Sequence, residues 1–181
     1  MQDEFEVVCD VSKKLDGAGI GYMLTGSMAL NFYTNPRMTR DIDVVVEVDR
    51  EDVSRLMNLF GADYYISQEA VQESVVRASM FNIVHNESLI KVDCIVRKPG
   101  RFRVNEFDRR QRVTIEGFDT WIVSKEDLIL SKLYWAKDSH SEMQLRDVKN
   151  LVSTGCDSGY IESWTAELGV DSLWKEITWH E

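Results

Sequence analysis

Three aspartates and a glycine-serine turn are the residues of this chain whose types and spacing could do chemistry. Asp41-Ile42-Asp43 opens the β-branched, apolar run Val44-Val45-Val46, which reads as a strand. Side chains alternate along a strand, so Asp41 and Asp43 project to one side, about 6 to 7 Å apart at their Cα atoms. Two carboxylates left unpaired there repel by roughly 1 kcal/mol at ~4 Å in water, and by more once desolvated, so a bound cation offsets a real cost. Hard, oxygen-only ligands point to Mg2+ or Mn2+. Asp93, in Lys91-Val92-Asp93-Cys94-Ile95, interrupts a second apolar strand and is the third candidate carboxylate. An acidic residue in such a place can also be an edge residue facing water, and Asp-x-Asp alone is a short motif.

Upstream lie Gly26 and Ser27. Glycine lets a backbone approach a ligand closely, serine offers a hydroxyl, and the amides that open a following helix turn partial positive charge toward an anion. A triphosphate would fit there, although a plain turn and helix cap uses the same residue types. Arg37 and Arg40 could hold phosphate or could be solvated residues flanking the strand.

Positioning these groups requires alternating helices and strands. Phe5, Val8, Cys9, Ser12 and Leu15 share a helical stripe that ends at Gly17-Ala18-Gly19. Ile20 to Thr25 reads as a short strand, and Met28 to Tyr33 as a helix broken before Pro36. Asp41 to Val48 has the composition of a central strand covered on both faces toward its far end. A helix capped by Asp49 to Asp52 runs on to Phe60, and Gln68 to Ala78 forms another. Met80 to Val84 and Leu89 to Val96 flank the turn His85-Asn86-Glu87-Ser88 as a hairpin. Arg112 to Ile115 and Thr120 to Val123 are short strands, and from Ser124 onward the pattern is helical. The fold class expected is α+β, divided into a core of residues 1–122 and a C-terminal helical region of residues 123–181.

Gly26-Ser27, the later Asp41-Ile42-Asp43 and the strand aspartate Asp93 together resemble the signature of the nucleotidyltransferase superfamily with the DNA polymerase beta-type core, over residues 20–96. Within it, Leu24 to Leu30 and Arg37 to Asp43 are most similar to minimal prokaryotic nucleotidyltransferase-like proteins of the abortive-infection toxin (AbiEii-like) branch. The resemblance implies a mixed β-sheet flanked by helices, with two metal ions bridging a nucleoside triphosphate and an acceptor hydroxyl. Asp41, Asp43 and Asp93 would be the catalytic and metal-binding residues, Asp93 acting as general base, as metal ligand or as both. Asp127 to Leu133 and Arg146 to Leu151 resemble the lysine and aspartate motifs that follow the core in those relatives. Lys132 would then bind triphosphate with Asp147 as a polar partner, completing a nucleotide-binding set with Gly26, Ser27 and Arg37; an exposed helix lysine and a surface Arg146-Asp147 pair would look the same.

Composition narrows the alternatives. The chain has 181 residues and a formal net charge of -10, which opposes general nucleic-acid binding by repulsion. Arg97 to Arg112 nevertheless holds seven basic residues against two acidic ones, so a local anion site is compatible with the average. That segment could grip an RNA end, and otherwise reads as a solvated hairpin with Phe102 and Phe107 in the core. The three cysteines show neither disulfide nor zinc spacing, and no apolar run approaches membrane-spanning length, so a cytoplasmic protein without a membrane partner is expected. Trp164, Trp174 and Trp179 read as packing residues that could also build an oligomer interface. The functional expectation is transfer of a nucleoside monophosphate to a hydroxyl of a protein, an RNA or a small molecule. The competing one is a catalytically silent nucleotide-binding or protein-interaction module of a toxin-antitoxin-like system.

Overall fold

The computed structural model describes residues 3–36, 39, 41–139 and 141–178. Helix α1 (Glu4–Ala18) starts at a reciprocal cap, in which the Glu6 amide donates to Asp3 Oδ1 and the Asp3 amide to Glu6 Oε2. It stops at Gly19, in the left-handed conformation that glycine adopts without a Cβ clash. Strand β1 (Gly21–Thr25) runs straight into α2 (Gly26–Tyr33), so this helix begins two residues earlier than its sequence pattern suggests. Strand β2 (Ile42–Glu47) and helix α3 (Val53–Phe60) follow, then β3 (Tyr64–Ile66), a three-residue strand too short to leave a period in the sequence.

Helix α4 (Gln68–Arg77) leads into the expected hairpin of β4 (Met80–His85) and β5 (Lys91–Val96). Leu89 takes φ of 59°, and β5 starts at Lys91, two residues later than the sequence pattern predicts. The basic segment is a helix, α5 (Arg101–Asp108), and not a solvated hairpin. Phe102, Glu106 and Phe107 bury one side of it, and the guanidinium groups of Arg103 and Arg110 lie over the Phe102 and Phe107 rings. Strands β6 (Gln111–Ile115) and β7 (Phe118–Ile122) precede α6 (Lys125–Ser139), α7 (Glu142–Ser153), α8 (Ser158–Leu168) and α9 (Asp171–Thr178).

The seven strands form one mixed sheet in the order β3-β4-β5-β2-β1-β7-β6. β2 pairs antiparallel with β1 and parallel with β5, so the strands bearing the candidate carboxylates lie side by side. Ile42, Val44 and Val46 of β2 are buried together with Val92, Cys94 and Val96 of β5. The opposite face of β2 carries Asp43 and Val45, which stay half-buried because they line a cavity. The expectation of a strand covered on both faces is corrected there: Val45 is apolar yet faces open space.

Helix α6 is buried all round from Asp127 to Leu133 and packs against α2, α7, α8 and α9, as a central helix must. Its N-terminal turn is tied by the fully buried Asp127, whose carboxylate accepts from Ser124 Oγ (2.5 Å), Tyr160 Oη (2.6 Å) and Arg109 Nε (3.0 Å). Asn105 donates to the same Tyr160 hydroxyl at 2.7 Å, joining α5, α6 and α8. Trp164 and Trp174 are buried within this helical layer, so their surface is not offered to an oligomer interface; Trp179 lies outside the described residues. Asp127→Ala strands three donors and is expected to lower stability by about 2 to 3 kcal/mol in urea denaturation, whereas a surface change such as Lys149→Ala should leave it nearly unchanged.

Candidate active site

The site begins where β1 ends. Gly26 has φ of 60°, and a Cβ built on it would lie 2.1 Å from Asp43 Oδ2, far inside any real contact. The glycine is therefore required twice, by its left-handed backbone and by the carboxylate packed against it. The turn and the Asp-x-Asp strand, recognised separately in the sequence, touch. Thr25 precedes α2 in extended conformation and makes no side-chain cap, so the amides of the first turn have no such acceptor from it. Ser27 sits in that first turn, half-buried.

Strand register then extends the site across the sheet. Thr25 of β1 pairs with Asp43 of β2, Asp43 with Asp93 of β5, and Asp93 with Asn82 of β4, giving one cross-strand row of four polar residues. Asp93 is buried: Asn82 Nδ2 donates to its Oδ1, and Lys91 Nζ donates to its Oδ2 at 3.0 Å. That bond holds the Lys91 ammonium above its ordinary pKa. Asp41 lies one residue before β2 and is exposed, its amide donating to Thr39 Oγ1 at 3.3 Å. Among the described residues no three of His, Cys, Asp or Glu gather as metal ligands would. Asp43 and Asp93 are the neighbouring pair.

Burial raises the Asp43 pKa, and the charges of Asp93 and Asp41 raise it further against the opposing pull of Lys132 and Lys91. A desolvated carboxylate with like charges beside it is a donor set that suits a divalent cation. Lys132 is a buried lysine, not an exposed one: it donates to Asp147 Oδ2 at 2.9 Å and to Gln144 Oε1 at 3.1 Å, and it lines the same cavity as Gly26 and Asp43. Lys132 and Asp147, more than a hundred residues from Gly26, thus adjoin the site through the packing of α6 on α7. Arg37 and Arg40 lie outside the described residues.

Sequence reasoning passed over Asn82, Lys91 and Gln144. Lys91 had a signal, because it is two residues from Asp93 on the same strand and must share its face. Asn82 and Gln144 had none, since register and helix packing put them there. Of the seven basic residues from Arg97 to Arg112, five are ion-paired among the described residues: Arg97 to Glu47, Arg101 to Glu167, Arg103 to Glu106, Arg109 to Asp127 and Arg112 to Asp16. This leaves a smaller anion site than the sequence charge implies.

A mixed sheet that aligns a glycine turn with aspartates on neighbouring strands, backed by C-terminal helices, defines the nucleotidyltransferase class. The chain matches over residues 3–168 the family described as nucleotidyltransferase of unknown function (DUF6036), and it belongs to that family and is a nucleotidyltransferase. Its fold is similar to that of the antibiotic-resistance factor ANT(2'')-Ia (14% identity, TM-score 0.62, 99% of both chains). It is also similar to the lincosamide antibiotic adenylyltransferase LnuA, solved with lincomycin bound (16% identity, TM-score 0.57, 85% of this chain and 98% of that one). An antigenic nucleotidyltransferase-like protein from Paracoccidioides brasiliensis matches at 16% identity and a TM-score of 0.60 over 91% of each chain. No curated protein matches by sequence. At these identities the structural likeness establishes the fold.

Two consequences can be measured. Gly26→Ala must move Asp43 or the turn, and is expected to destabilise by about 1 to 3 kcal/mol on overpacking alone; an unchanged melting temperature would mean the contact yields freely. Because the folded Asp43 carboxyl holds its proton above the ordinary carboxylate value, its own contribution to stability is fully present below that value and falls as pH rises through the window up to the raised one. Asp43→Asn is expected to abolish this fall, leaving the variant more stable than the wild type at neutral pH in denaturant titrations across the acid range.

Proposed function

We propose that the protein moves a nucleoside monophosphate from a nucleoside triphosphate to an acceptor hydroxyl, releasing pyrophosphate, in a reaction that depends on Mg2+ or Mn2+. The observation carrying this reading is the contact of Gly26 with Asp43, in register with Asp93 and beside the buried Lys132. The triphosphate is read as lying against Gly26, Ser27 and the first turn of α2, with Lys132 offsetting its charge and Asp147 holding Lys132 in place. Asp43 and Asp93 would hold a divalent cation, with Asp41 as a further ligand from the end of the strand. When bound, such an ion lowers the pKa of an attacking hydroxyl and neutralises charge on the attacking and leaving oxygens.

Asp93 is read as the group that takes the acceptor proton, Asn82 and Lys91 fixing its carboxylate toward the reacting hydroxyl. Arg37, from its place in the sequence, is read as a further phosphate contact. The C-terminal region, residues 123–181, serves in this reading to bring Lys132 and Asp147 to the core of residues 1–122. ATP is the first donor to test, because two of the structural neighbours carry names or products of adenylyl transfer. The resemblance to the abortive-infection toxin branch supports a cytoplasmic protein or RNA acceptor as well as a small molecule. No helix among the described residues is long and apolar enough to cross a membrane.

A second reading, a silent nucleotide-binding or interaction module, draws support from the engagement of both Asp93 oxygens by Asn82 and Lys91. The test is incubation with α-phosphate-labelled ATP, Mg2+ and candidate acceptors. Label is expected in an acceptor, with a loss of about 100-fold or more for Asp43→Asn and for Asp93→Asn. Equal labelling by both variants would sink the assignment of the site. Tight, Mg2+-dependent ATP binding in calorimetry with no turnover across acceptors would favour the silent module.

A further inference from the structure

We propose that the cavity beside Asp43 selects an acceptor alcohol that has an apolar or aromatic body and an anionic group. This rests on the reading of Asp43 as part of the reaction centre. The cavity has a volume of about 370 Å³, in the size range of small-molecule pockets. Its floor is the second cross-strand row, Met80, Ile95 and Val45, set one two-residue step along the strands from Asn82, Asp93 and Asp43. A ligand whose hydroxyl lies at the carboxylate row therefore places its body, about 6 to 7 Å further on, over three apolar side chains.

Helix α6 supplies the facing wall with Leu128 and Trp135. Trp135 is 63% exposed and Met80 is 49% exposed, so two large apolar side chains at this cavity remain open to water. An apolar body bound between them would remove that surface from solvent. The charged groups beyond this band are Arg97, Lys98 and Arg103. Glu47 pairs with Arg97, and Glu106 pairs with Arg103 at 2.8 Å while accepting from Ser131 Oγ at 2.5 Å. Lys98 is exposed and has no ion-pair partner among the described residues.

Apart from Asp43, the described residues of the cavity offer no carboxylate that is not already bonded by a neighbouring cation. Arg97, Arg103 and Lys132 are each paired with an acid of this chain, so among the described lining cations a carboxylate or phosphate finds Lys98 unopposed. In the transfer, the acceptor oxygen forms a bond to the α-phosphorus, the bond from that phosphorus to the β-phosphate bridging oxygen breaks, and pyrophosphate leaves. The hydroxyl proton passes to Asp93.

The test compares 4-(hydroxymethyl)benzoate, its methyl ester and tobramycin by calorimetry on the intact protein, beside ATP with Mg2+. The carboxylate is expected to bind about tenfold or more tightly than either of the others, and Lys98→Glu is expected to erase that preference while ATP affinity stays unchanged. Tighter binding of tobramycin overturns the inference, and so does a parallel loss of ATP binding in Lys98→Glu, because the Lys98 end of the cavity would then house the nucleotide. Failure of the carboxylate to bind, with ATP binding that Asp43→Asn abolishes, overturns the acceptor class and leaves the transfer reading standing. Carboxylate binding lost in Lys98→Glu, in a protein that binds no ATP, keeps the anionic pocket and removes the transfer reading instead.

Discussion

The contact between Gly26 and Asp43 is the constraint on which the site depends. A side chain at residue 26 would occupy the space of the Asp43 carboxylate, so β1 can turn into α2 at this point only through a residue without a Cβ. Antiparallel pairing of β1 with β2 then brings Thr25 opposite Asp43, and parallel pairing of β2 with β5 brings Asp93 to the other side. One steric requirement thus joins the first turn of α2 to a polar row that crosses four strands and carries the two carboxylates. The register has no slack, since a shift of one residue would turn Asp43 into the apolar face and Ile42 into the cavity.

Charge is balanced around that row by groups from distant parts of the chain. Burial and neighbouring carboxylates push Asp43 toward its protonated form, while Lys91 from β5 and Lys132 from α6 pull the other way. Lys132 is tied in the interior by its bonds to Asp147 and Gln144 of α7. The packing of α6 on α7 is therefore an electrostatic part of the site as well as a piece of the core. The buried Asp127 plays the structural counterpart at the other end of α6, holding α5 and α8 to the helix that carries Lys132.

The basic segment shows how one-dimensional charge misleads. Seven basic residues in a short stretch read as a loose anion-binding surface, yet most of them are distributed around α5 to acids on α1, β2, α6 and α8. Those acids are spread from Asp16 to Glu167, and no local pattern links them. The wall of the cavity was equally silent: Val45, Ile95 and Met80 look like ordinary strand residues, and Trp135 like one aromatic on a helix. Only the tertiary fold brings them, with residues of α5 and α6, to the lining of one cavity.

What the sequence by itself determined is the set of local elements and the identity of the reactive groups. Period-two apolar strands, caps and glycine stops made the α+β class and most elements legible, and Asp41, Asp43, Asp93 and Gly26 stood out because carboxylates and a glycine interrupt otherwise apolar or helical patterns. Those signals are local, reaching only a few residues along the chain. Tertiary structure decided which of the groups meet. It set Asp43 against Gly26 and beside Asp93, left Asp41 at the exposed end of the strand, gave Asp93 its partners Asn82 and Lys91, and buried Lys132 with Asp147. Register and helix packing are sums over many long-range contacts, and no single stretch of sequence carries them.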